Sequence, residues 1–559
     1  MSATAAPGRT PRALADRLAR LAGERPLLAA AALLALLCGL STALRTQALD
    51  AKLWIDEGLS IGIASHAFTD IPSVLQQDGS PPLYYLLLHL WIEALGDGEA
   101  RTHALSLAFS LGTIPAGFWA GRALFGTRAA WATAALAALN PYLTFYAQET
   151  RMYSLLALLS LGTTATFALT FAQRRRGALP AFVVLAALLA YTHNWGLFLL
   201  AGTAAAVVGL VWQEEDAQAR RGLVRDAAIG YGALALLYAA WLPTLVGQAR
   251  ETGAPWAERP GLHDVVVGFT GALGGDPASS LAAFMAITGL VATIRGARRS
   301  DPVARALLAI AGAGLVGVLL AFLASQVSPA WASRYLGAFL GPVLLLLGAG
   351  LTRYGRLGLV ALGIVLLLWL DPREDQLRGK SNAFKVARTL QDEGYVRDGD
   401  VVLTTHPEYG PVMRYYLGDG LRWADALGWV RDPQIFDWRD ALDRLERTGP
   451  ITASRQVLPA LRPGQHLLLI QPIIRTGRWG APWTRLVRRR AAKWERALDH
   501  TGGLARVEPV PSFTDRRLPR GVRAVVYRRT PGPLRIPAPD PPAPPEDPVQ
   551  EPGPNVKNR

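Results

Sequence analysis

Only one cysteine, Cys38, occurs in the chain, which excludes an intrachain disulfide and a cysteine-ligated metal centre. It lies within an apolar run, where a small side chain packed in lipid or between helices accounts for it. Charge is scarce as well. Asp, Glu, Lys and Arg together make up 18% of the residues, against about 25% in an ordinary soluble chain. No internal repeat is visible. The run Gly268, Gly271, Gly274 and Gly275 lacks both the strand-turn-helix setting and the trailing lysine of a phosphate loop. It reads as a flexible outer loop, with Trp256, Glu258, His263 and Asp264 placed to close over an acceptor. Apolar residues are what the chain has in plenty: 51% of its 559 residues are hydrophobic and the mean hydropathy is +0.20. Blocks such as 26–44 suit a bilayer core about 30 Å thick. The pattern is that of a polytopic α-helical membrane protein, and it excludes a single soluble domain, a fibrous protein and a disulfide-stapled secreted module.

The formal net charge of +15 would suit nucleic acid if it formed one patch, but the arginines fall in short turns between apolar runs. Membrane topology explains the excess, and no nucleic-acid partner is expected. About eleven transmembrane helices are predicted, at 27–49, 102–121, 129–146, 153–172, 178–192, 195–212, 223–243, 279–294, 303–324, 335–351 and 356–370. With the amino terminus in the cytoplasm, the basic turns 122–128, 173–177, 213–225, 295–305 and 353–356 all fall inside, as the positive-inside rule requires. Segments 53–101, 148–151, 193–195, 244–278, 325–334 and everything after 371 then lie outside. The count holds if 81–95 is a juxtamembrane helix, which its paired prolines, Tyr84, Tyr85, His89, Trp91 and Glu93 favour. Leu14, Leu18 and Leu21 make 12–22 amphipathic, suited to the cytoplasmic leaflet. No small-residue cleavage site closely follows the first apolar run, so it reads as a retained anchor.

Four regions result: a cytoplasmic amphipathic amino terminus (1–26), a transmembrane domain (27–370), an extracytoplasmic α/β domain (371–530) and a disordered proline-rich tail (531–559). Helices near 381–393, 408–417, 438–447 and 482–499 alternate with strands at 400–405 and 466–471, and the domain closes on a hairpin-like end at 522–528. Nothing in that domain demands catalysis. Trp479, Trp483 and Trp494 beside Arg485, Arg488, Arg489 and Arg490 form either a solvated basic helix or a surface for acidic glycans or headgroups.

Ionisable residues collect at the outer helix ends. Asp56 and Glu57 follow the first span. Glu149 and Arg151 sit in a turn between two apolar helices, where each costs a few kcal/mol unless it faces water or a partner. They are two positions apart and so look to different partners. Arg334 opens another span, either snorkelling to headgroups or presenting its planar fork to a phosphate. His193, in a short outer turn, is either an interfacial residue or a substrate contact.

Taken together, Asp56-Glu57, the segment Asp78-Gly79-Ser80-Pro81-Pro82-Leu83-Tyr84-Tyr85-Leu86, the turn Gln148-Glu149-Thr150-Arg151-Met152-Tyr153, Tyr191-Thr192-His193 and Arg334-Tyr335-Leu336 resemble the bacterial GT-C glycosyltransferases of the protein mannosyltransferase and aminoarabinose transferase type (family 39-like). The resemblance covers roughly 27–370. It implies transfer of a sugar from a polyprenyl-phosphate donor to an envelope glycan, lipid or protein acceptor. The catalytic acids would be Asp56, Glu57 and Glu149, and Arg334 and Arg151 would hold the donor phosphate. Asp78, Tyr84, Tyr85, Tyr153, His193 and Tyr335 would contact substrate. Position 80 is serine where many members have histidine, so no role is carried to it. A divalent cation, Mg or Mn, held by Asp56 and Glu149 is the alternative means of stabilising the phosphate. The rival reading from another class is a transporter or lipid flippase with an outer sensor domain. Such proteins tend to show repeated halves and helices broken near the midplane.

Overall fold

Long apolar helices dominate the first part of the chain. The structure, a computed structural model, describes residues 26–296, 301–473, 480–510 and 521–538. The amphipathic segment 12–22, Arg298, Arg299, Trp479 and most of the proline-rich tail lie outside the described residues.

Two compact units result. The first comprises Met1–Asn382 with the short segments Gln434–Asp440 and Gly480–Pro482; the second comprises Ala383–Pro433, Ala441–Trp479 and Trp483–Arg559. The expected boundary at 371 therefore moves. The charged stretch after the last apolar helix reads as the start of a soluble domain, yet Leu377 is buried in a small cluster with Ala48 and Ala51. Arg378 donates to the carbonyl of Gln47 at 2.8 Å and pairs with Asp50 at 2.9 Å.

Among the described residues, seven helices are long and apolar enough to cross a membrane: Leu27–Arg45, Glu99–Phe125, Tyr153–Ala172, Gly196–Gln213, Asp276–Gly296, Pro302–Val327 and Ser333–Tyr354. An eighth is formed if Ala217–Tyr238 and Leu242–Glu251, bent by 68°, make one span. Leu83–Leu95, Arg176–Thr192 and Arg356–Leu368 are apolar but shorter. The count of eleven thus exceeds what helix length alone supports. The span expected at 129–146 is divided into helices Thr127–Leu139 and Pro141–Tyr146. Asn140 stops the first and caps the second, its side-chain oxygen accepting from the Leu143 N–H at 3.1 Å. Pro141 takes the first helical position, where its missing N–H costs nothing.

Small residues let these helices approach closely. A methyl group on Gly202 would lie 2.0 Å from the Ala313 carbonyl oxygen, and one on Gly341 would lie 2.4 Å from the Leu161 nitrogen. Leu36, Leu236, Phe284, Leu315 and Leu357 are exposed, as a lipid-facing belt requires. Inside, the fully buried Arg45 donates to the carbonyls of Ser110 at 3.1 Å and Ala137 at 2.6 Å. Gly268 and Gly271 belong to the helix Leu262–Ala272, correcting the expected flexible loop.

The second unit holds a six-stranded sheet: β1 (Val401–Thr404), β2 (Arg422–Asp425), β3 (Gly428–Val430), β4 (His466–Pro472), β5 (Leu504–Pro509) and β6 (Val522–Arg529), in the order β3-β2-β1-β4-β6-β5. β1 runs parallel to β2 and β4, and the other pairs are antiparallel. β1 and β4 are buried throughout and read as continuous apolar runs. Sequence reading missed β2 and β3, which are short and joined by a turn at Ala426 and Leu427, and β5; the expected hairpin-like end at 522–528 is the single strand β6, paired with β5.

Candidate functional site

Helix Ile55–Ala64 begins ten residues beyond the first long helix and carries Asp56 and Glu57 in its first turn, where carboxylates favour the positive helix end. The two acids face different surroundings. Asp56 is partly exposed, with one carboxylate oxygen 3.8 Å from the Arg334 guanidinium. Glu57 is fully buried. Its Oε1 accepts from His103 Nε2 at 2.6 Å and from the Thr150 N–H at 2.8 Å. Its Oε2 lies 2.6 Å from Lys380 Nζ and accepts from the Trp54 N–H at 3.3 Å.

The turn between Tyr146 and Tyr153 packs against that helix. Arg151 donates through one terminal nitrogen to the Asp56 carbonyl at 3.1 Å and Ser60 Oγ at 2.9 Å, and through the other to the Tyr153 hydroxyl at 3.4 Å. Glu149, 2% exposed, points instead to Lys380 Nζ at 3.7 Å. The two residues do have separate partners. Arg334 precedes the helix Gly337–Leu351 and stacks on Trp256 and Tyr335, at 4.8 and 5.3 Å from the ring centres. Its carbonyl accepts from the Tyr142 hydroxyl.

An aromatic wall completes this side. Tyr335 lies 4.6 Å from His193 and 5.3 Å from Trp195 between ring centres, and Tyr153 lies 6.1 Å from His193. Burial, reinforced by the Arg151 and Arg334 guanidiniums, depresses the His193 imidazole to about 3. His193 is therefore a neutral ring whose Nδ1 accepts from the Trp195 N–H at 3.1 Å, leaving the proton on Nε2. Tyr84 and Tyr85 are fully buried; the Tyr84 hydroxyl lies 3.3 Å from Ser106 Oγ. Asp78 is half-buried, and burial raises its carboxyl above the usual range. A cavity of about 410 Å³, lined in part by Tyr142, Phe145, Tyr146, Ser333 and Arg373, adjoins the wall through Tyr146, whose ring centre is 4.8 Å from that of Tyr153.

Several buried polar atoms here have no hydrogen-bond partner among the described residues: one oxygen each of Asp56 and Glu149, and Nε of Arg151 and Arg334. Buried polar groups are normally paired, so unmatched donors and acceptors at one spot mark a place where a polar ligand would sit.

The expected metal pair does not fit a divalent cation as arranged. Asp56 faces Arg334 and Glu149 faces Lys380, so each carboxylate already meets a cation of the chain. No group of three His, Cys, Asp or Glu side chains suited to a metal exists among the described residues. Lys380, His103 and Ser60 were missed by sequence reading, whereas Trp256, expected in a loop over the acceptor, lies against the Arg334 guanidinium.

Burial raises the Glu149 carboxyl, with help from Glu57 and Asp56 and against the pull of Lys380, to about 7. Burial likewise opposes the charge on Glu57, but Lys380 and His103 outweigh it and hold that carboxyl below its usual value. The folded protein thus binds more protons at Glu149 than the unfolded chain does between about pH 4.5 and 7, and stability should fall as pH rises through that window. The Glu57 effect has the opposite sign but lies below this window. Glu149→Gln should flatten the fall, worth at most about 3 kcal/mol, in melting temperatures measured in detergent from pH 5 to 8. A wild-type melting temperature that rises across that range would contradict it.

No protein-family model matches the sequence, and no curated protein does. Solved structures do match. Apo ArnT from Cupriavidus metallidurans is 15% identical, with 89% of this chain and 98% of that one covered at a TM-score of 0.60. The same protein bound to undecaprenyl phosphate gives 14% identity, 88% and 97% coverage and a TM-score of 0.57. The archaeal oligosaccharyltransferase AglB from Archaeoglobus fulgidus, in complex with an inhibitory peptide and a dolichol-phosphate, gives 11% identity, 78% and 69% coverage and 0.51. The fold is therefore that of these GT-C membrane glycosyltransferases, with a sheet-containing domain after the transmembrane part.

Proposed function

We propose that the chain is a membrane glycosyltransferase that moves a sugar from a polyprenyl-phosphate donor to an envelope acceptor. One observation carries this reading: a partly exposed carboxylate, Asp56, lies 3.8 Å from a guanidinium, Arg334, and both retain an atom without a hydrogen-bond partner. That arrangement offers a proton acceptor beside a phosphate cradle, on a fold shared with a protein solved with undecaprenyl phosphate.

Asp56 accepts the proton of the acceptor hydroxyl as its oxygen bonds to the anomeric carbon. The bond from that carbon to the donor phosphate breaks, and the phosphate leaves with one more negative charge. Arg334 takes that charge through its planar fork, and Arg151, whose Nε is also unpartnered, is the second cation of the site. Attack opposite the leaving phosphate inverts the anomeric centre. Neutral His193, Tyr153 and Tyr335 supply faces for a sugar ring, and the aromatic cavity beside Tyr146 suits the first isoprenoid units. Glu57, buried and fully bonded, positions its neighbours instead of accepting the proton. The sheet domain takes an accessory role.

Native mass spectrometry of the purified protein should find a retained polyprenyl-phosphate sugar, and adding acceptor should discharge it. A retained lipid without a sugar phosphate would count against the reading. The site belongs outside the cytoplasm in this scheme. Single cysteines introduced at Gly177 and at Asp276, in a chain with Cys38→Ser, should label from opposite sides, Asp276 from outside. Labelling from the same side would remove the common outer face.

A further inference from the structure

Lys380 is the least expected member of the site. It lies beyond the last apolar helix, is 8% exposed, and its ammonium is the cation shared by two buried carboxylates, Glu57 at 2.6 Å and Glu149 at 3.7 Å. Glu57 is locked from its other side by His103 and by the Thr150 N–H. The Thr150 amide is flanked by Glu149 and Arg151, so the acid cluster and the turn bearing Arg151 are tied together. An isolated buried ammonium or carboxylate is too costly to persist. One ammonium serves two carboxylates, the closer contact going to Glu57, and Oε2 of Glu149 has no hydrogen-bond partner among the described residues.

The chemistry of that gap is specific. A hard divalent cation needs about six oxygen ligands at roughly 2.0–2.1 Å for magnesium. A carboxylate pair bridged by one ammonium offers no such shell, because the ammonium fills the point where the oxygens converge. We infer that Lys380 is a built-in cation standing where a divalent metal would otherwise bind between Glu57 and Glu149, so that this chain works with an ammonium in the metal's stead. The part concerning catalysis rests on the glycosyl-transfer reading; the part concerning metal binding does not. Lys380 touches neither Asp56 nor Arg334 directly and acts as a positioning residue. Through Glu57 and Thr150 it fixes the helix that carries Asp56 and the turn that carries Arg151.

The inference can be tested on the purified full chain with Mn²⁺ as the probe, its binding followed by electron paramagnetic resonance. Wild type should show no stoichiometric Mn²⁺ site. Lys380→Met keeps an unbranched side chain one atom shorter, removes the ammonium and frees both carboxylates, and it should acquire one Mn²⁺ per chain that Lys380→Met/Glu149→Gln loses. Lys380→Arg, still cationic, should acquire none. A wild-type Mn²⁺ site that disappears on Glu149→Gln would overturn the inference. So would a folded Lys380→Met protein that gains no Mn²⁺. If Lys380→Met does not fold, Lys380→Arg and chelation of wild type decide the question. Transfer should withstand EDTA unchanged, and loss of transfer restored by added Mn²⁺ would refute the ammonium's role. Lys380→Met should lower transfer at least about tenfold, with partial recovery in Mn²⁺. If wild type transfers no sugar from any donor, the proposed function fails while the Mn²⁺ results still judge Lys380.

Discussion

Asp56→Asn should reduce sugar transfer by about 10² or more, while donor binding is kept or tightened. The argument comes from what the carboxylate does to its surroundings. It lies 3.8 Å from Arg334, so it competes with a phosphate for that guanidinium and also repels the phosphate's own charge. The asparagine has nearly the same size and retains an acceptor oxygen, but it accepts no proton and no longer engages Arg334 as an ion. Donor affinity measured by titration with a fluorescent or radiolabelled polyprenyl-phosphate sugar should therefore hold or rise while the initial rate collapses. A damaged fold would instead lower both. Unaltered turnover would move the base elsewhere, with Glu149, which also keeps an unpartnered oxygen, next in line.

The division between what the sequence reveals and what it hides follows from the range of the interactions. Asp56, Glu149, Arg151 and Arg334 stand out because an ionisable residue at the end of an apolar helix is locally improbable, and the structure draws these four into one neighbourhood. Their pairings were hidden. Lys380 meets Glu57 across more than three hundred residues, and a contact of that range leaves no periodic trace. Its only local signal is that lysine is rare here, with five lysines in a chain rich in arginine. His103 sits inside an apolar helix, where nothing in its neighbours announces a bond to a distant carboxylate. The interruption at Asn140 was written in the sequence as a cap followed by proline, but the apolar pattern on both sides masked it. The boundary at 371 failed for a related reason: charged composition marks exposure on average, whereas Leu377, Arg378 and Lys380 are individually tied to the membrane unit.

Replacing Arg334 should impair both donor binding and turnover, which distinguishes it from Asp56. The guanidinium lies over the rings of both Trp256 and Tyr335 and meets Asp56 through one terminal nitrogen at 3.8 Å, with Nε unpartnered. A hydrogen bond to a charged group is worth about 1.5–3 kcal/mol. Loss of one or two such bonds in Arg334→Ala should lower kcat/KM by about 10- to 10⁴-fold, with donor affinity falling alongside. Arg334→Lys keeps the charge but neither the fork nor the stack, and should recover only part of the loss. Trp256 acts through Arg334, so Trp256→Ala should weaken donor binding in the wild type and have almost no effect once Arg334 is alanine, a coupling that a double-mutant cycle reads directly. Additive losses would mean that Trp256 meets the substrate itself. Unchanged donor affinity in Arg334→Ala would leave Arg151, whose Nε is also unpartnered, as the cation that receives the departing phosphate.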